Sequence, residues 1–276
     1  MKKKLLVLSV LFCISVFATT SASASENTTQ EFTPYVYNDI FDEKFTSLSG
    51  EAKKVIYSEA VDIEDNGKEY LTDEEVLQID FTELVVISEK LQEYANSGAY
   101  TDERLNQIAA KEIKNSKSNI SVMDYEIPGF GKLNEKEIEL AKKHPVEFTY
   151  YGTTAVLALE ETSKYYGGSE LTQGNGDAFR HTYWNAIMVP YFGGTKGPQH
   201  GYDRTRVWAN AHEYTSSGID KEMDLFNNEQ GRFLGMTEYT NSFTQFSSRI
   251  RTMVKQGSLV RIVNGQLTAT NGTTGK

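Results

Sequence analysis

The sequence predicts a mainly α-helical protein: a helical N-terminal region, then an all-helical C-terminal domain ending in a small β-hairpin. Two observations carry this. Between Ser49 and Lys255, apolar residues recur three and four positions apart in segments separated by capping residues, Gly and Pro. From Leu259 to Thr270 the pattern alternates instead, around Asn264-Gly265, a dipeptide that favours a two-residue hairpin turn.

The chain opens on Lys2, Lys3 and Lys4, an apolar run from Leu5 to Ala18, and the small-residue site Ala22-Ser23-Ala24. This reads as a secretory signal peptide over residues 1–24, with a mature chain starting at Ser25, and it predicts a secreted, extracellular protein. The single cysteine, Cys13, lies in the apolar run after Phe12, where a lipoprotein signal requires a small residue. The mature chain then has no disulfide, so its stability must come from a hydrophobic core, with a bound ion as the other support open to it. Roughly 250 residues suffice for such a core. No later stretch is long and apolar enough to span a membrane. The formal charge of −10 becomes −13 once the three lysines leave. That balance disfavours nucleic acid and anionic lipid as partners.

Residues 25–45 read as an arm, and Ser49 to Ala60 as a helix. In the acidic stretch that follows, Asp62, Glu64, Asn66, Gly67 and Asp73 occupy ligand and glycine positions of a calcium loop. Two readings stay open: a calcium site with Asp62, Glu64, Asn66 and Asp73 as ligands, or an acidic turn before the capping box Thr72–Glu75. A helix is expected from Glu74 to Tyr94, stopped at Asn96-Ser97-Gly98. Another is expected from Thr101 to Lys114, with Leu105, Ile108, Ala109 and Ile113 on one face. These complete an N-terminal region over 25–120. A domain boundary is expected between Ser116 and Pro128, and a second domain over 128–270. That domain begins with a short charged helix, Asn134 to Lys143, followed by a central buried helix from Pro145 to Tyr165. Thr240 to Lys255 is a further helix whose basic end suits the negative pole of the helix dipole. Residues 271–276 are expected to be a frayed tail.

The window from Gly174 to Arg232 is where chemistry concentrates. It holds three of the four histidines, His181, His200 and His212, and both tryptophans, Trp184 and Trp208. Asp177 and His181 stand one helical turn apart on a face continued by Trp184 and Met188, in a helix expected to end at Val189-Pro190. His212 follows Trp208 by one turn on a helix over 201–214, and Glu213 adjoins it. A third helix, with Asp220 as N-cap, puts Asp224, Asn227, Asn228 and Arg232 on one side. Gly231 permits close helix approach there, and Gly235 provides the C-cap. The functional reading is a divalent-metal site, zinc or manganese, with Asp177, His181, His212 and Asp224 as ligands. Glu213 is then the general base and Asn228 a further site residue. Arg180 and Arg232 hold an anionic substrate oxygen. His200 is a rim residue on a loop. The bland reading is a buried, hydrogen-bonded polar network involving Arg180 or Arg232.

The runs Gly176 to Trp184, Ala211 to Glu213 and Met223 to Arg232 resemble the signature of a family of uncharacterised bacterial domains. Such domains are found in secreted proteins and at the C-terminal ends of large toxin-like proteins. The resemblance covers roughly residues 145–270 and implies a mostly helical domain with no assigned activity. The ligand pattern is also faintly similar to all-helical zinc phospholipases C, but the extra histidines and N-terminal tryptophan ligand of those enzymes are missing. That departure implies one or two ions rather than three. The reading is therefore a secreted metal-dependent hydrolase acting on a small or envelope-derived anionic substrate, of phosphoester or cell-envelope type. Its rivals are a non-catalytic secreted binding module with a structural polar core, and a toxin-like effector using the same site. The sequence does not specify an oligomeric state.

Overall fold

The computed structural model describes residues 67–116 and 131–276. The signal peptide, the arm, the 49–60 helix, Asp62, Glu64, Asn66 and the 117–130 boundary lie outside the described residues. Nine α-helices and one hairpin make up the described chain: α1 Asp73–Leu77, α2 Phe81–Asn96, α3 Asp102–Asn115, α4 Glu135–Lys143, α5 Pro145–Tyr165, α6 Asn175–Gly193, α7 Pro198–His212, α8 Gly218–Thr237, α9 Phe243–Gln256, β1 Val260–Val263 and β2 Gln266–Ala269. Short 3-10 helices at Gly168–Leu171 and Gly194–Lys196 flank α6. None of the described helices is long and apolar enough to cross a membrane.

Thr72 and Glu75 form the expected capping box at the start of α1. Asp73, the last position of the candidate calcium loop, pairs with Lys142 Nζ at 2.9 Å, and Glu69 pairs with the same ammonium at 3.0 Å. The expected continuous helix over 74–94 is instead two helices. Asp80 caps a new one, accepting from Thr82 N at 2.9 Å, and this redirects the chain so that Phe81, Leu84, Ile87 and Leu91 face inward. The core they enter is the one formed by α5, α6 and α9. Helices on both sides of the expected domain boundary thus bury their apolar faces together.

α5 runs through the middle, as its composition predicts. Two of its buried threonines spend their hydroxyls on their own helix: Thr149 donates to Pro145 O and Thr162 to Ala158 O. Thr154 donates to Tyr150 O and also accepts from Trp184 Nε1 at 3.2 Å. Around α5 the rings of Tyr151, Trp184 and Trp208 pack at 4.8–5.0 Å centroid spacing.

α6 is buried nearly end to end. It does not stop at Pro190 but continues to Gly193. The proline deprives the Ala186 carbonyl of its helical donor, and α8 packs closely against that same carbonyl. A Cβ on Gly235 would lie 2.5 Å from Ala186 O. Gly235 is therefore a packing glycine inside α8, which runs on to Thr237, and not its C-cap. α8 also starts earlier than expected, with Ser217 as N-cap and Asp220 in the first turn. α7 likewise begins at Pro198, so His200 sits in its first turn, not on a loop.

The hairpin forms where Asn264-Gly265 predicts it. Both residues have positive φ, 53° and 73°, and Val263 pairs with Gln266. Val260 packs on Met223 and Phe226 of α8. Asn227 fixes the join, its amide bonding both the N–H and the carbonyl of Val260 at 3.1 and 2.9 Å. It thereby faces the hairpin and not the site. Residues 271–276 are held down. The side-chain amide of Asn175 donates to Asn271 Oδ1 and to Thr273 O and accepts from Asn271 N. Gly167 N reaches Thr274 O at 3.0 Å. The tail is ordered because it closes over the N-terminus of α6, whose N-cap, Gly174, has no side chain to offer.

Candidate metal centre

α6 brings Asp177 and His181 to one face. Asp177 is buried in the first turn, where the helix dipole favours a carboxylate. Its Oδ2 accepts from Gln173 N at 2.6 Å, and its Oδ1 accepts from Arg180. Gln173 takes a left-handed φ of 59°, rare for a residue with a side chain. That conformation aims its N–H at Asp177, while its side-chain amide donates to Asp220 Oδ1 at 2.6 Å. At the start of the helix, Glu170 Oε2 accepts from Asn175 N at 2.7 Å and does the work of the missing cap.

His181 Nε2 lies 3.5 Å from Asp177 Oδ1 and 3.3 Å from Asp224 Oδ1. Donor atoms of Asp177, His181 and Asp224 all fall within 4.8 Å of one another, the only such set of three or more among the described residues. The other ring nitrogen, Nδ1, faces Asn228 Oδ1 at 3.2 Å. A chain of contacts sets the direction of that bond. Arg232 donates to Asn185 Oδ1 at 3.2 Å, so Asn185 turns its Nδ2 to Asn228 Oδ1 at 2.7 Å. Asn228 Nδ2 points to Glu213 Oε1 at 3.5 Å. Asn228 therefore offers His181 an oxygen, which requires the proton on Nδ1 and leaves the Nε2 lone pair toward the two aspartates.

Burial, and then the positive charge of Arg180 and the proximity of His212, hold the His181 imidazole well below its ordinary pKa. Burial, and then the charges of Glu213 and Asp177, push the Asp224 carboxyl well above its ordinary value, against the pull of Arg180. Asp224 Oδ1 is buried with no hydrogen-bond partner. A lone-pair nitrogen facing two carboxylate oxygens is repulsive unless a proton or a cation lies among them. One imidazole nitrogen and two carboxylate oxygens fit zinc or manganese. Asp224 is the most exposed of the three, its side chain retaining 15 % of its accessible surface.

The remaining residues singled out in the sequence fall in three places. Glu213, buried at the C-terminal end of α7, lies 3.8 Å from His181 Nδ1. Arg180 stands at the cluster, bound to Asp177. His212 is near but not in the set: its ring centroid is 6.3 Å from that of His181, and its Nδ1 is engaged by Glu137 Oε1 at 3.0 Å and Tyr151 Oη at 3.2 Å. Burial alone would lower His212, but the hydrogen bond and charge of Glu137, with Glu213 adding, raise it above its ordinary value. Arg232 does not reach the cluster. It is 1 % exposed, paired with Glu229 at 2.6 Å, and acts on the site only through Asn185. Gln173, Asn185, Glu137 and Tyr151 did not emerge from the sequence. Only Glu137 left a signal, the capping-box spacing from Asn134, and that spacing says nothing of a partner 75 residues away.

Residues 138–258 match the model of a family described as a domain of unknown function (DUF6973). The match starts inside α4 and contains all three members of the cluster. No curated protein and no solved structure matches the chain.

Proposed function

We propose that this chain is an exported hydrolase that binds one divalent cation, zinc or manganese, at Asp177, His181 and Asp224. Its substrate is an anionic ester of phosphoester or cell-envelope type. The observation that carries this reading is the convergence of a neutral imidazole nitrogen with two carboxylates, one of which has a buried oxygen without a hydrogen-bond donor. A cation held there supplies Lewis acidity toward a water and a substrate oxygen. Glu213, the buried carboxylate outside the set, takes the proton. Arg180 orients an anionic oxygen at the exposed edge of the cluster.

The test combines metal content and melting temperature of the mature protein with a screen against phospholipid, nucleotide and peptidoglycan-type substrates. Wild type should hold about one ion per chain and be stabilised by zinc or manganese in proportion to occupancy. His181→Ala should fold but lose both the ion and turnover. Terminal sequencing of culture supernatant should give Ser25 as the first residue; an intact Met1 form in the membrane would contradict export.

A second reading has its own support. Arg232, Asn185, Asn228 and His181 form a hydrogen-bonded ladder, the arrangement expected of a structural polar core in a binding module. In that case wild type is metal-free, neither zinc nor manganese raises its melting temperature, and His181→Ala costs about 1–3 kcal/mol of stability.

A further inference from the structure

Glu137 is 1 % exposed, although it belongs to a short, charged helix at the surface. A carboxylate so deeply buried needs its oxygens satisfied. Oε2 accepts from Asn134 N at 2.7 Å as the return half of a capping box. Oε1 accepts from Tyr151 Oη and from His212 Nδ1. Asn134 makes the placement rigid. Its Oδ1 caps α4, accepting from Lys136 N and Glu137 N, while its Nδ2 donates to Ala211 O at 2.7 Å and His212 O at 3.2 Å. One side chain thus ties the start of α4 to the end of α7, and so sets Glu137 opposite His212. The edge-to-face contact of Trp184, with centroids 5.1 Å apart, fixes the plane of the imidazole.

From this geometry we infer that Glu137 is a positioning residue that holds the His212 proton on Nδ1, making Nε2 the lone-pair nitrogen. His212 then serves the neighbouring cluster as a second proton acceptor beside Glu213, and not as a ligand. Carboxylate oxygens can only accept, so a neutral imidazole beside Glu137 Oε1 must donate through Nδ1. The same device appears twice: Asn228 on α8 orients His181, and Glu137 on α4 orients His212. The role of His212 rests on the metal-hydrolase reading, whereas its tautomer does not.

The experiment is long-range nitrogen–proton correlation of the histidine rings in wild type, Glu137→Met and Tyr151→Phe. It is recorded near pH 9, well above the ordinary imidazole range, alongside metal content and turnover of each protein. In wild type, His212 should carry its proton on Nδ1; a proton on Nε2 overturns the inference without any variant. Tyr151→Phe removes one donor to Glu137 and should keep the tautomer. Glu137→Met keeps the length of the side chain but offers no oxygen to Asn134 N–H or to His212, so the Nδ1–H preference should collapse. Metal should remain bound, because Asp177, His181 and Asp224 are untouched, and turnover should fall about 10–100-fold. An unchanged tautomer in a folded Glu137→Met overturns the positioning role. Absence of metal from every protein, with the tautomers as expected, overturns the metal reading and with it the catalytic use of His212, but leaves the positioning intact.

Discussion

Arg232 decides where His181 carries its proton without touching it. Its guanidinium fixes the amide of Asn185, Asn185 fixes Asn228, and Asn228 fixes Nδ1. The far side of the ring meets Asp224, whose carboxyl is pushed well above its ordinary value of 3.8 by burial, Glu213 and Asp177. A carboxyl with a raised pKa makes the folded, metal-free protein bind a proton more tightly than the unfolded chain does. Its stabilising contribution is complete below pH 3.8 and is lost as pH rises through the raised value. At neutral pH the residue is therefore a burden unless a cation is present. Asp224→Asn should raise the stability of metal-free protein at pH 7 by about 0.5–2 kcal/mol while abolishing metal binding. Thermal melts with and without chelator read both effects, and a variant less stable than wild type in chelator would make Asp224 a structural residue. Asp177 and His181 were legible because a spacing of four on one helix is a local fact. The Asn185–Asn228 relay was not, because it joins two helices whose register no local pattern encodes.

At the level of elements, the site depends on how closely α8 lies on α6. Gly231 makes this possible: a Cβ there would stand 2.8 Å from Asn185 Cβ and closer still to Thr182 O. Gly231→Ala gains up to ~1 kcal/mol of helix propensity. It should nevertheless lose about 1–3 kcal/mol net, because both neighbours are fixed backbone or packed side chain. Since the displaced residue is Asn185, His181 should lose its defined tautomer in the same variant. Denaturant titration and ring nitrogen shifts would show whether the two effects travel together. The role of Gly231 was readable from its position on the polar side of an amphipathic helix. That of Gly235 was misread, because a glycine near a helix end ordinarily marks a cap. Only the facing helix, with its carbonyl bared by Pro190, explains why α8 continues past it. Asn227 was misplaced for a related reason. It shares a side of the helix with Asn228, but a hairpin more than thirty residues away supplies better partners.

Across the whole molecule, stability comes from a core that binds N-terminal and C-terminal helices together, and from charges buried within it. The helical class and the hairpin were legible because periodicity and the Asn-Gly turn act locally. The unity of the core was not, since apolar stripes on α2 and α5 announce burial without naming a partner. Glu147, half-buried against the buried Arg204, shows what such charges do. In the first turn of α5 it accepts from Arg204 through both oxygens and from Trp208 Nε1 at 2.9 Å, thereby joining α5 to α7. Burial works to raise its carboxyl, but the charge and hydrogen bonds of Arg204, with help from His144 and Trp208, outweigh it and hold the pKa below 4.5. Here the sign is the reverse of that for Asp224. The contribution is complete above pH 4.5 and disappears as pH falls through the lowered value. Glu147→Gln should cost about 1–3 kcal/mol at pH 7, since Arg204 keeps its burial and loses its counter-charge. The penalty should shrink as pH drops below 4.5, where wild type surrenders the same interaction. Urea titrations of both proteins from pH 7 to about pH 3 would trace the convergence. A penalty independent of pH would mean that Glu147 holds α5 to α7 by shape and neutral hydrogen bonds alone.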